Sequence, residues 1–464
     1  MQWALCRRVI IISIAITRKD RTQTARRARK FSCGRLSCSK MDENAQIQAK
    51  FFTKDERYSV PDTPFSISGS TTSEQLSSLI NTLLRESASG DAESDGEPTF
   101  DFLIDGELLR ETLQEHLEAR KIQQENVVLV EYVEKCPPPL PIDTLVHDDW
   151  VSAVHTSDAG ILSGCYDNSL HIWDHDGTRK LLIPGHVGPI KSVRWISVGE
   201  PLCTFVSASL DETAMLWQWN RDTNAVESVQ ICRGHARSVE CVDVSWDKGN
   251  FATGSYDQML KVWSADPNNT QYDQANDESE GSRKKQKTVD GKAKTRVPVL
   301  TLSGHHEAIT GVQWTDDKEV ATCSMDQTLR LWDVDLGGMK SQLVASKAFL
   351  DISYSRLNNQ IISAHTDRHI RLWDVRAKDG AMVTCTYSSH LGWVSSVHWA
   401  PDSVHHFVSG SYDGFMKHWD VRSPKAPLYD MTGHEDKVLA VDWSLQKYMI
   451  SGGADCHMKI FEFK

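Results

Sequence analysis

No apolar run in this chain reaches the ~20 residues that a membrane helix needs; the stretch VIIISIAI at residues 9–16 is too short. Its eleven cysteines are odd in number and scattered, and apart from Cys33 and Cys38 none stand close together. Cys165, Cys203, Cys241, Cys323 and Cys385 fall inside apolar strand patterns, which fits reduced core thiols in an intracellular protein and argues against a disulfide framework. There is no C-x-x-C ligand spacing, no metal-ligand cluster, no Gly-rich phosphate loop and no nucleophile motif, so neither cofactor nor enzymatic activity is expected.

What is present begins with an uneven charge. The 464 residues carry a net charge of -12, yet residues 1–40 hold eleven Lys/Arg against the single acid Asp20. The remainder is therefore strongly acidic, which disfavours a face that binds bare nucleic acid. Residues 1–40 are read as a basic, disordered extension, because Met41 is followed at once by a plausible domain. A signal peptide or an Arg-rich transit peptide are the alternatives, although no small-residue cleavage site follows the apolar stretch.

An internal repeat dominates everything after residue 140. Seven fragments align without gaps, among them CYDNSLHIWD, SYDQMLKVWS, SMDQTLRLWD and GADCHMKIFE. In each an Asp precedes an aromatic residue by six positions: Asp167/Trp173, Asp211/Trp217, Asp257/Trp263, Asp326/Trp332, Asp367/Trp373, Asp413/Trp419 and Asp455/Phe461. A hydroxyl stands four residues before each Asp, at Ser163, Ser207, Thr253, Thr322, Ser363, Ser409 and Ser451. Most units open with a His, namely His186, His235, His305, His390 and His434. Imidazole, hydroxyl, carboxylate and indole N–H are able to share one hydrogen-bond network that satisfies buried polar groups and ties strand to strand. A His/Asp pair that recurs in every unit answers what every unit needs, so these residues are assigned to stability and not to catalysis. The fifth unit lacks the His, with Ser346 and Lys347 near its place, and is expected to be the least firmly tied or to be supported by a partner.

Successive Asp positions lie about 41 to 46 residues apart, with one interval of about 69. Period and signatures resemble the WD40 repeat, whose unit is a four-stranded propeller blade. The expected fold is an all-β seven-bladed WD40 β-propeller over residues 139–464, preceded by a small α+β domain. PLPIDTLVHDDWVSAV, from residue 139, matches PLYDMTGHEDKVLAV, from residue 427. Residues near 140–146 should therefore supply the last blade's missing fourth strand and leave no open edge. The long interval holds an insertion, about 265–296, that reads as a disordered loop. Its basic end carries Arg283, Lys284, Lys285, Lys287, Lys292, Lys294 and Arg296, either a solvated charge run or a nuclear import or RNA-phosphate segment.

Residues 45–135 read as a compact unit of order ββ-α-β-α-β. Strands are expected at 47–53, 58–67 and 127–133, with FDFLIDGELLR as a strand and turn. One helix should follow Thr72, presenting Leu76, Leu79, Ile80, Leu83 and Leu84 on one face, and LQEHLEAR should form a second. That order is ubiquitin-like. Residues 86–97 read as a flexible acidic loop, and the prolines at 137–139 as a stiff link.

KFFTKDERYSVPDTP, FDFLIDGELLR and DDWVSAV, over residues 41–464, look like the WD-repeat ribosome-biogenesis family whose members join pescadillo and its block-of-proliferation partner, the PeBoW complex. A related ribosome factor, Notchless, pairs such a domain with eight repeats, whereas seven are counted here. The resemblance implies a non-enzymatic assembly role in large-subunit pre-rRNA processing, in the nucleus, nucleolus and nucleoplasm, on the pre-60S particle. It also implies that the AAA ATPase midasin grips the ubiquitin-like domain through a metal-ion-dependent adhesion site. In QQENVVLVEY, Glu125 stands where the family offers its carboxylate to that metal, since a hard cation keeps a coordination position for a foreign oxygen. Glu131 is the weaker candidate because it belongs to a strand. The rival reading is a substrate receptor or adaptor in a ubiquitin-ligase or signalling complex.

Overall fold

The structure, a computed structural model, describes residues 46–87, 97–120, 127–267, 269, 293–375 and 383–463. It is mostly β, built from many small, largely antiparallel sheets behind a mixed N-terminal sheet. Residues 1–40, Glu125 and the Arg283–Lys287 cluster lie outside the described residues.

The N-terminal sheet contains β1 (Gln46–Phe52), β2 (Pro64–Ser68), β3 (Phe100–Ile104), β4 (Glu107–Leu108) and β5 (Val128–Glu134), in the order β2-β1-β5-β3-β4. β1 and β5 pair in parallel at its centre, which requires the crossover that helices Ser73–Ser87 and Leu113–Arg120 provide. Alternate residues Ile47, Ala49 and Phe51 of β1 and Val128, Val130 and Tyr132 of β5 face those helices and are buried with Leu76 and Ile80. Gln75 caps the start of the first helix: its Oε1 accepts from Thr72 N at 3.1 Å, and the Thr72 carbonyl accepts the first helical bond from Leu76 N at 3.0 Å. Thr112 and Glu115 give the second helix the reciprocal form of this cap. Asp105 and Gly106 both take positive φ, 53° and 73°, so the β3–β4 hairpin turns through the backbone region that glycine favours. The expected strand over 58–67 is shorter. Tyr58 belongs to the turn Glu56–Tyr58, and the strand begins only at Pro64, because the Pro61 segment has no N–H to offer a ladder.

After residue 150 each repeat forms one sheet whose own strands pair antiparallel in chain order; the second sheet gains a strand from the insertion and the seventh takes its outer strand from before residue 150. The sheets begin with strands Val151–Ser157, Ile190–Val198, Val239–Val244, Ile309–Asp316, Phe349–Ser355, Val394–Trp399 and Val438–Leu445. These seven strands touch one another in sequence, and the last touches the first. Hydroxyls stitch neighbours together: Ser152, Thr310 and Ser395 donate to the carbonyls of Ile190, Phe349 and Val438. Carboxylates do the same from alternate sheets, Asp243 to Trp314 N, Asp351 to Val397 N and Asp442 to Thr156 N. In the seventh sheet β6 (Leu140–Val146) pairs antiparallel with His457–Glu462 and occupies the outer position.

The insertion departs from expectation at its end. Lys294–Arg296 is not loop; it pairs in parallel with Gln230–Cys232 on the outer edge of the second sheet. Arg296 is buried and donates to the Pro267 carbonyl at 2.9 Å, while Gln230 donates to the Asp266 carbonyl. The returning chain thus covers an edge that otherwise exposes unpaired backbone groups. Arg296 belongs to that edge and not to a solvated charge run.

Candidate functional site

The repeated polar residues converge as one network per sheet. In the second sheet His186 Nδ1 lies 2.9 Å from Asp211 Oδ2, His186 Nε2 lies 2.7 Å from Ser207 Oγ, and Trp217 Nε1 donates to the same Oγ at 2.8 Å. His235, Asp257, Thr253 and Trp263 repeat this in the third sheet, and His305, Asp326, Thr322 and Trp332 in the fourth. His390, Asp413, Ser409 and Trp419 do so in the sixth. In the seventh, His434 bonds Asp455 and Ser451, but Phe461 replaces the indole and donates nothing.

Donor accounting fixes the polarity of each chain. A carboxylate only accepts, so imidazole Nδ1–H donates to it. Burial holds His235, His305, His390 and His434 below the usual imidazole range, hence neutral, so Nε2 accepts from the hydroxyl. The hydroxyl oxygen then accepts the indole N–H. Burial alone would raise Asp211, Asp257 and Asp326. Hydrogen bonds from His186 and His235 to the first two, and from Thr328 and the His306 N–H to the third, hold each at about 2. A hydroxyl, imidazole and carboxylate in line resemble a hydrolase triad. Here, however, Ser207, Thr253, Thr322 and Ser409 are 0% exposed and each already accepts an indole N–H, so no substrate carbonyl can approach.

The first and fifth sheets differ. The fifth was expected to lack an imidazole, but His365, two residues after Ser363 on the same strand, bonds Ser363 Oγ at 2.8 Å. Trp373 still donates to that hydroxyl. Asp367, without its usual partner, takes an ion pair from Arg371. In the first sheet His147 Nε2 bonds Ser163 at 2.9 Å while Asp167 caps Ser169 instead. His147 stands twenty positions before Asp167, so its repeat position was visible in the sequence; the source of the fifth imidazole was not.

Of the partner-facing candidates, Glu131 sits in β5, paired with Lys54 at 3.1 Å and mostly buried, which makes it a poor ligand for a foreign ion. The N-terminal sheet rests on the sixth sheet of the ring. Glu107, 3% exposed at its side chain, receives Lys425 at 2.7 Å and Arg120, and Arg110 donates to the carbonyls of Pro427 and Leu428. Tyr429 Oη donates to the Cys136 carbonyl at 2.6 Å, fixing the linker to the same strand.

Among the described residues the cysteines are free thiols, and Cys165, Cys203, Cys232, Cys241 and Cys323 are buried. Two groups of candidate metal ligands come together in space that no sequence spacing marks. Cys136, His406 and His418 bring one ligand atom each within 4.8 Å of one another, as do Cys165, Asp167 and His171. Neither set has a signature spacing, because folding assembles the first from residues some 270 positions apart. No helix among the described residues is long and apolar enough to cross a membrane.

Comparison with known proteins places these features together. Residues 47–117 match the NLE (NUC135) domain family, and residues 140–174, 226–264, 296–333, 382–420 and 425–462 match the WD domain, G-beta repeat. The chain is 75% identical over 426 residues to a ribosome biogenesis protein WDR12 homolog of Ixodes scapularis, covering 91% of this chain and 100% of that protein. The homologs of Aedes aegypti and Drosophila erecta are 48% and 47% identical, each over 90% of this chain and 96% and 95% of their own lengths. The chain belongs to the WDR12 family of ribosome biogenesis proteins.

Proposed function

We propose that this chain is a non-catalytic scaffold in large-subunit ribosome biogenesis and pre-rRNA processing, acting on the pre-60S particle in the nucleus, nucleolus and nucleoplasm. The observation that carries this reading is the pairing of an NLE domain with WD repeats across the whole length of relatives named for ribosome biogenesis. The repeats form a seven-bladed propeller closed by β6, and its histidine–aspartate networks are structural. The ring holds a pescadillo-type protein and a block-of-proliferation-type WD40 protein. The N-terminal domain offers Glu125 to the metal of midasin, whose ATP-driven pull releases the complex. The ion pairs of Glu107 and the Arg110 contacts support force transfer, because they join the pulled domain to the ring. Arg283, Lys284, Lys285 and Lys287 serve nuclear import.

The test is a pull-down of purified midasin adhesion domain in magnesium buffer by full-length chain. Wild type retains the domain and Glu125→Ala loses it at least ~10-fold, as loss of a charge-assisted contact implies. Undiminished capture by the variant removes Glu125 from the account.

A further inference from the structure

We propose that Cys136, His406 and His418 form a zinc site that clamps the interdomain linker to the sixth sheet. The inference stands apart from the ribosomal reading. Cys136 leaves the N-terminal domain just after β5, His406 begins strand His406–Ser411, and His418 lies in the adjacent strand Met416–Asp420. Their ligand atoms lie within 4.8 Å of one another. Thiolate and two imidazoles are the borderline-soft set that zinc selects, at ~2.3 Å for sulfur and ~2.0–2.1 Å for nitrogen, with a fourth position left for water.

The independent observation is His418. Its residue is 0% exposed, yet neither ring nitrogen has a hydrogen-bond partner. Aromatic rings enclose it: Trp443 and Phe463 meet it edge-on, and Tyr429 stacks on it. A buried imidazole with two idle nitrogens is costly, and a metal ion occupies one of them productively. His406 Nε2 lies 3.8 Å from Asp420 Oδ2, a carboxylate that Arg422 holds in place, so a negative charge stands beside the cluster.

On binding, the S–H bond breaks, the sulfur lone pair goes to zinc and the proton leaves to solvent. A cleft of 630 Å³ between the two domains, lined by Lys54, Lys135, Cys136, His405, His406 and Arg422, supplies the exit and the entry path for the ion.

The experiment uses the full chain, loaded with zinc, desalted and measured by elemental mass spectrometry, then exchanged with cobalt(II). Wild type should hold about one zinc per chain and show tetrahedral cobalt bands with a thiolate charge-transfer band. Cys136→Ser should fall below about a tenth of an equivalent and lose that band, whereas Cys165→Ser keeps both. Zinc should also protect Cys136 of the wild-type chain from alkylation, a readout that needs no variant. Absence of stoichiometric metal, a charge-transfer band that survives Cys136→Ser, or unprotected Cys136 overturns the assignment.

Discussion

The second, third, fourth and sixth sheets meet the same need as the first and fifth by different means. In the former an imidazole is held between a carboxylate and a hydroxyl, so the imidazole, the carboxylate and the hydroxyl all have partners. In the latter the imidazole keeps the hydroxyl and loses the carboxylate: Nδ1 of His147 and Nδ1 of His365 have no hydrogen bond among the described residues. The hydroxyl–indole link is common to all six of these sheets, and the seventh alone, with Phe461, goes without it. The carboxylate link is what varies, and its loss moves cost from geometry to protonation.

The comparison breaks most visibly by deletion. His305→Ala leaves Asp326 and the Thr322 hydroxyl buried without their partner, and should cost about 3 kcal/mol. Asp367→Ala removes a partly exposed ion pair with Arg371 and a long turn hydrogen bond from the His369 N–H, and should cost about 1 kcal/mol. Denaturant midpoints of the two variants measure this, and equal losses would show that the carboxylate contributes no more in one sheet than in the other.

Acid sharpens the same contrast. Burial, aided by nearby cationic groups, lowers His147 to about 3 and His365 to about 4, below the unfolded value of about 6.5. The folded state thus binds fewer protons, so the stability from these groups is full above about pH 6.5 and is lost as pH falls toward those values. By pH 5 each histidine forfeits about 2 kcal/mol. The Asp211, Asp257 and Asp326 carboxylates, held at about 2, add a second loss only between about pH 4 and 2. Unfolding midpoints should drop between pH 7 and 5, and Gln at positions 147 and 365 should flatten that drop. A flat profile for wild type contradicts the assignment of dry, neutral imidazoles.

Much of this was readable because it repeats. The Asp-to-Trp interval and the upstream hydroxyl recur in register, and a repeated pattern averages out local accidents. Both N-terminal helices were legible from apolar spacing, since Leu76 and Ile80 lie one turn apart on a buried face. What escaped depends on space. His365 stands two residues after Ser363 on the same strand, outside the position where the other repeats carry their His. Lys294–Arg296 is short and polar, and becomes a strand only because the second sheet has an edge to cover. Cys136 meets His406 and His418 only after the linker docks on the sixth sheet.

The central claim, assembly without catalysis, is tested most directly by affinity purification of the tagged chain from nuclear extract, with mass spectrometry and sequencing of the bound RNA. The account predicts pescadillo-type and block-of-proliferation-type proteins together with large-subunit precursor RNA. Ubiquitin-ligase subunits in their place, with no precursor RNA, would contradict it.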